Sequence, residues 1–221
     1  MEKIISRAFT FLNNRGFDWS ICGGVAIDIF LGKQNRIHKD VDVAVFWEDR
    51  ISIIELMLSS GWRVFQACGG GVVDELHGKQ DVPFEKRNLF CFTPNEGRIK
   101  LESIGDERYR FGLEKLEQSD FTYVEFLFNE RDIRDFYLPG ETKIKRELNK
   151  AILSSSDKIP YLAPEIVLFY KSSYLDGSDA VDHNRDFDVS LPCFNSEQKR
   201  WLRESLEREY PNGHPWLQRL N

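Results

Sequence analysis

Residues 21–46 read "ICGGVAIDIFLGKQNRIHKDVDVAVF", two glycines before a short apolar helix and then two aspartates at the head of an apolar strand. Alternate side chains of a strand point to opposite faces, so Val41, Val43 and Val45 share one face while Asp40, Asp42, Ala44 and Phe46 share the other. Residues two apart lie about 6.5 to 7 Å apart along a strand, which sets the two carboxylates side by side at one end of the element. Two like charges there call for a counter-ion. At a wet strand start Arg36 or Lys39 could serve, and in a metal site a divalent cation would. The glycines favour the second reading. The helix after Gly23 and Gly24 presents free N–H groups and the positive end of its dipole, a natural seat for phosphate. Hard cations that accompany a triphosphate take carboxylate oxygens.

Outward from this stretch, residues 1–12 place Ile4, Ile5, Ala8, Phe9 and Leu12 at helical spacing and stop at "NNRG" (13–16). "FDWSIC" (17–22) reads as a strand, so the opening order is strand, glycine turn, helix ended by Gly32, acidic strand. A helix "EDRISIIELMLSSG" (48–61) leads back to a strand "WRVFQAC" (62–68). "NLFCFTP" (88–94), "RIKLES" (98–103) and "FTYVEFLFNE" (121–130) carry the β-branched and aromatic content of a sheet, expected to be mixed. "CGGGVVDELHGKQD" (68–81) is too irregular to assign.

A boundary is read at "YLPGE" (137–141), dividing the chain into residues 1–140 and a mainly helical part, 141–221. There "ETKIKRELNKAIL" (141–153) reads as a basic amphipathic helix with Lys143, Lys145, Arg146 and Lys150 on a solvated face. "APEIVLFYKSSYL" (163–175) has Pro164 where a first helical position belongs and five apolar residues before Lys171, the pattern of a buried helix. Asn195 with Gln198 is a capping-box signal for a last helix whose Leu202, Leu206 and Tyr210 stripe belongs in a core.

With 221 residues and 41% hydrophobic content, the chain can build a substantial core in one large or two small domains. A net charge of −6 and a pI near 5.4 supply no global positive field for nucleic acid or anionic membrane. No apolar run reaches the roughly 18 residues of a membrane span, and the N-terminus reads as an amphipathic helix, so a cytoplasmic location is expected. Four scattered cysteines, Cys22, Cys68, Cys91 and Cys193, form no zinc-like spacing with the histidines and read as small buried hydrophobes. Neither Gly69–Gly71 nor Gly78-Lys79 satisfies GxxxxGK[ST], which excludes an ordinary P-loop.

"GGVAIDIFLGKQNRIHKDVDVAV" resembles the signature of the polymerase-β-type nucleotidyltransferase superfamily, with the small aminoglycoside and lincosamide nucleotidyltransferases as its nearest counterparts. In that group a Gly-Gly turn, an "AID" helix ending in Leu-Gly and an Arg-x-His-x-Asp-h-Asp strand (h, apolar) occur in this order. The resemblance is specific over residues 22–46. Beyond them, "FTYVEFLFNE" resembles the strand that brings a third acid, and "PYLAPEIVLFYK" through "HPWLQRL" resembles a C-terminal helical domain. Asp182-His183 stands where relatives carry Lys-Asp. The resemblance implies an α/β (α+β) fold, with an N-terminal nucleotidyltransferase domain of mixed sheet flanked by helices and a C-terminal helical domain.

The resemblance further implies two Mg²⁺ (or Mn²⁺) ions on Asp40, Asp42 and a third carboxylate, with a nucleoside triphosphate, expected to be ATP, as co-substrate. Glu125 is the expected third acid, because a single carboxylate between Val124 and Phe126 is costly without a partner; Glu130 and Glu102 are the alternatives. Gly23, Gly24, Arg36 and Lys171 are the expected nucleotide-binding groups, with His38 and Asp28 read as structural. The implied reaction carries a nucleoside monophosphate, expected to be AMP, to a hydroxyl of a small acceptor. The acidic charge balance suits a cationic hydroxylated acceptor better than a polynucleotide. Alternatives are a toxin-antitoxin-type enzyme acting on protein or tRNA, and a non-catalytic relative that only binds nucleotide.

Overall fold

In the computed structural model, which describes residues 2–78, 81, 85, 88–140 and 143–220, the acidic strand lies within a mixed sheet. The chain forms two compact units, Met1–Ile21 with Arg36–Glu130 and Cys22–Asn35 with Arg131–Asn221. The division read from the sequence and these units differ in where they put residues 22–35 and 131–140. In chain order the first elements are α1 (Glu2–Leu12), β1 (Trp19–Cys22), α2 (Gly23–Leu31), β2 (Asp42–Phe46), α3 (Arg50–Ser59), β3 (Arg63–Gly69) and β4 (Val72–Leu76). They are followed by β5 (Leu89–Phe92), β6 (Ile99–Gly105), β7 (Arg108–Leu113) and β8 (Tyr123–Arg131).

The sheet of the first unit runs β1-β2-β8-β5-β3-β4-β7-β6. The β2–β8 pair is parallel, while β8–β5, β5–β3, β3–β4, β4–β7 and β7–β6 are antiparallel. Val43, Val45, Ala44 and Phe46 are all buried, so both faces of β2 are covered. Phe65, Val73, Phe92 and Tyr123 form a core against which Phe90, Ile99, Leu101, Tyr109, Phe111 and Leu113 pack. Ile4, Ile5, Ala8 and Leu12 of α1 are buried, as the helical spacing requires.

In the first unit two strands, β4 and β7, escape the sequence reading. Residues 68–81 hold β4, joined to β3 by Gly69, Gly70 and Gly71 at φ of 84°, 60° and 75°, a left-handed run that side chains resist. The glycines look irregular because they make the turn. β7 was likewise disguised by its arginines, which alternate with Tyr109 and Phe111 as a one-sided strand demands. Lys79 and Gln80 of the unassigned stretch lie outside the described residues.

Between β5 and β6, Glu96 accepts hydrogen bonds from Arg98 Nε (2.9 Å), Arg98 Nη2 (2.8 Å), the Arg98 backbone N–H (3.1 Å) and the Thr122 hydroxyl (2.5 Å). Burial alone would raise this carboxyl, but the Arg98 and Thr122 donors outweigh it and hold the pKa at about 2, below the ordinary 4.5. A carboxyl depressed in the fold stabilises it above the unfolded pKa and loses that contribution as pH falls toward the folded one. Between pH 4.5 and 2, Glu96→Gln is therefore expected to show a shallower decline in melting temperature than the parent. Parallel curves would contradict the assignment.

The second unit contains α2 and the elements β9 (Asp135–Tyr137), β10 (Lys145–Glu147), α4 (Leu148–Ala151), β11 (Ile152–Ser154), β12 (Pro160–Leu162), α5 (Pro164–Ser172), α6 (Ala180–Ser190) and α7 (Ser196–Glu209). α5 packs against α2, α6 and α7, with Pro164 in its first turn and Glu165 through Phe169 buried. Asn195 and Gln198 close the expected capping box of α7, and Leu202 and Leu206 are fully buried.

Among the described residues of the helix expected at 141–153, only the short α4 is helical, between β10 and β11; residues 141 and 142 lie outside the described residues. Ile144 and Arg146 are buried while Lys145 and Glu147 are exposed, a period of two that pairs β10 with β9. Arg146 accordingly leaves the expected solvated face. The guanidinium bonds buried Glu165 at 2.8 Å, and Glu165 accepts a second bond from Gln198 Nε2 at 2.8 Å.

Candidate functional site

β2 and β8 run parallel with Asp42 opposite Glu125, so one register brings an acid from each strand to the same row of the sheet. The Glu125 N–H donates to the Val41 carbonyl at 3.1 Å, carrying the pairing one step beyond β2 toward Asp40. Asp40, Asp42 and Glu125 each offer a carboxylate oxygen, and the three oxygens lie within 4.8 Å of one another. All three are partly buried. Of the proposed third acids, only Glu125 joins the pair. Glu130 is exposed near the far end of β8, and Glu102 on β6 accepts from Arg110 at 3.0 Å.

Burial pushes the Glu125 carboxyl well above its ordinary range, and the charges of Asp42 and Asp40 push it further. The opposing influences are the Tyr123 hydroxyl, which donates to Glu125 Oε1 at 2.6 Å, and the Lys39 charge. Tyr123 is itself fully buried, and burial followed by the Glu125 charge lifts its phenol well above 10, keeping it a donor. Three carboxylates this close hold their charges together only with a cation among them. Carboxylate oxygens are the donors a hard divalent ion takes, so the set fits Mg²⁺ or Mn²⁺.

Tyr123 went unnoticed in the sequence. The signal was present: a tyrosine two residues before Glu125 on one strand points to the same face. Arg36 donates from Nη1 to the Ile37 carbonyl at 3.2 Å, and buried His38 accepts at its carbonyl from the Gln118 N–H at 3.1 Å.

In the second unit, Gly23 and Gly24 are the first two residues of α2, both buried, and the N-cap Cys22 makes no side-chain capping bond. Gly23 has a φ of 63°, which explains a glycine at this turn. Asp28 is structural as read, its carboxylate accepting from the Asn35 N–H at 2.9 Å. Lys171 is salt-bridged to fully buried Asp186 at 3.2 Å. The neighbouring His183 is lowered below its ordinary value by burial and by the Lys171 charge, and its Nδ1 lies 3.3 Å from the Tyr174 carbonyl.

The chain shares its fold with adenylyltransferases of known structure. The family described as aminoglycoside-2''-adenylyltransferase matches residues 4–67, the part that holds Asp40 and Asp42. The chain is similar to the solution structure of the antibiotic-resistance factor ANT(2'')-Ia, at 13% identity and a TM-score of 0.51, covering 94% of this chain and 91% of that one. The crystal structure of ANT(2'')-Ia in complex with adenylyl-2''-tobramycin aligns with a TM-score of 0.52 at 12% identity, over 93% of this chain and 98% of that one. The lincosamide antibiotic adenylyltransferase LnuA, bound to lincomycin, gives 0.50 at 15% identity, over 86% and 98%. No curated protein sequence matches the chain.

Proposed function

We propose that this protein is a divalent-metal-dependent adenylyltransferase that carries AMP from ATP to a hydroxyl of a small, antibiotic-like acceptor. The observation that carries the reading is the convergence of Asp40, Asp42 and Glu125 within 4.8 Å, in a fold shared with enzymes that adenylylate antibiotics. Asp40, Asp42 and Glu125 would hold the metal, two ions in the reading that the sequence resemblance implies. When bound, it supplies charge neutralisation at the phosphates and polarises the attacked phosphorus.

The acceptor hydroxyl oxygen attacks the α-phosphorus, the bond from that phosphorus to the bridging oxygen breaks, and pyrophosphate leaves. Glu125 is the group read as taking the hydroxyl proton. The triphosphate is assigned to the N-terminus of α2 at Gly23 and Gly24, with Arg36 donating hydrogen bonds to phosphate. Lys171 is already paired with Asp186, so the reading gives it the lesser share at the phosphates. Among the described residues no helix is long and apolar enough to cross a membrane, and a cytoplasmic location is the reading that suits ATP as donor.

A ligand that binds only the native state raises its stability. ATP is therefore expected to raise the melting temperature with Mg²⁺ or Mn²⁺ present, and much less with EDTA. Equal shifts in both conditions would overturn the metal site.

A further inference from the structure

Asp42 and Glu125 are fixed by the β2–β8 ladder, but Asp40 precedes β2 and needs another hold. The carbonyls leading up to and through this segment are gripped one after another. His38 accepts from the Gln118 N–H at 3.1 Å, and Val41 accepts from the Glu125 N–H at 3.1 Å. Between them, the Lys39 carbonyl accepts from Arg98 Nη1 at 2.5 Å. That carbonyl belongs to the peptide plane that enters Asp40, so its direction sets where the Asp40 side chain leaves the backbone.

Arg98 is held in turn. Its Nη1 also donates to the Leu116 carbonyl at 3.1 Å, and Glu96 grips the other edge of the guanidinium through Nε and Nη2. The two side chains are 12% and 4% exposed. Thr122 donates to the same Glu96 carboxylate, and the next residue, Tyr123, donates to Glu125. One partly buried network thus reaches the backbone before Asp40 and the strand that carries Glu125.

We propose that Arg98 is a positioning residue of the carboxylate trio, its guanidinium locking the Lys39–Asp40 peptide so that Asp40 meets Asp42 and Glu125. This rests on the metal-site reading of the trio. A planar fork spans a carboxylate and two carbonyls at once; a lysine ammonium is a point donor on a flexible stem and cannot.

The test is titration of the 221-residue chain with Mn²⁺ alone, following the resonance of the free ion. Partners that orient metal ligands typically contribute about 10- to 100-fold in affinity. Arg98→Lys is expected to weaken Mn²⁺ binding by about that factor while melting within a few degrees of the parent in the absence of metal. Activity lost at low Mn²⁺ should return at high Mn²⁺, a rescue that a merely structural defect would not show. Arg98→Lys that folds and binds Mn²⁺ as tightly as the parent overturns the proposal. Should Arg98→Lys fail to fold, Glu96→Gln keeps the shape and loosens the grip; it is expected to weaken binding in the same direction, and unchanged affinity again overturns it. If the parent itself takes up no Mn²⁺, the trio is not a metal site and the role of Arg98 falls with it. Parent binding with unaltered variants overturns Arg98 alone.

Discussion

Glu125→Gln is expected to lower nucleotidyl transfer by at least about 100-fold, the upper range for loss of a mere outer partner of a metal ligand, without lowering the metal-free melting temperature. The two halves of this result come from one piece of geometry. The carboxyl is buried beside Asp42 and Asp40, both of which oppose its charge, so the folded protein is strained by the group it keeps there. The amide still accepts the Tyr123 hydroxyl bond and removes a like charge from the cluster. Metal affinity and proton acceptance go with the carboxylate. Asp40→Asn and Asp42→Asn belong to the same class and should melt within a few degrees of the parent. Pyrophosphate release and calorimetry on the same preparations check both halves. Normal transfer by Glu125→Gln would move the third acid elsewhere.

Glu165→Ala is expected to cost about 3 to 5 kcal/mol of unfolding free energy, the largest effect on stability foreseen for a single polar residue here. Glu165 is 1% exposed and Arg146 8%. The Arg146 guanidinium also lies 5.5 Å from the Trp201 ring centre and 3.2 Å from Glu197. Removing the carboxylate leaves the arginine desolvated with one exposed partner, and strands the Gln198 amide that Glu165 accepts from. Replacing both charges with apolar residues, Arg146→Met with Glu165→Leu, should recover most of the loss, because no buried charge is then left alone. Urea denaturation reads this as a lower midpoint at unchanged slope for the single variant. A change under about 1 kcal/mol would show that Arg146 finds water instead.

The residues of the candidate site were legible because sheet chemistry is local: alternation puts Asp40 and Asp42 on one face, and a lone acid between Val124 and Phe126 announces Glu125 as costly. That these strands would be parallel neighbours, with Asp42 facing Glu125, depends on pairing across more than eighty intervening residues and is written in no short stretch. A separation of 59 residues likewise hid Arg98 from Lys39. The segment at 141–153 misled because its lysines and Arg146 look alike in composition, whereas burial separates them two by two. Glycine was read well where it ends a helix, at Gly32, and missed where three in a row turn β3 into β4.

The central claim is tested most directly by incubating the protein with ATP labelled at the α-phosphate, Mg²⁺ and a panel of small hydroxylated acceptors that includes aminoglycosides and lincosamides, with tRNA and protein acceptors in parallel arms. Mass spectrometry should find one small acceptor heavier by an adenylyl group, with pyrophosphate released in equal amount, and no such product from Asp42→Asn. Label that enters tRNA or protein and persists at high salt, with every small acceptor unchanged, would contradict the account.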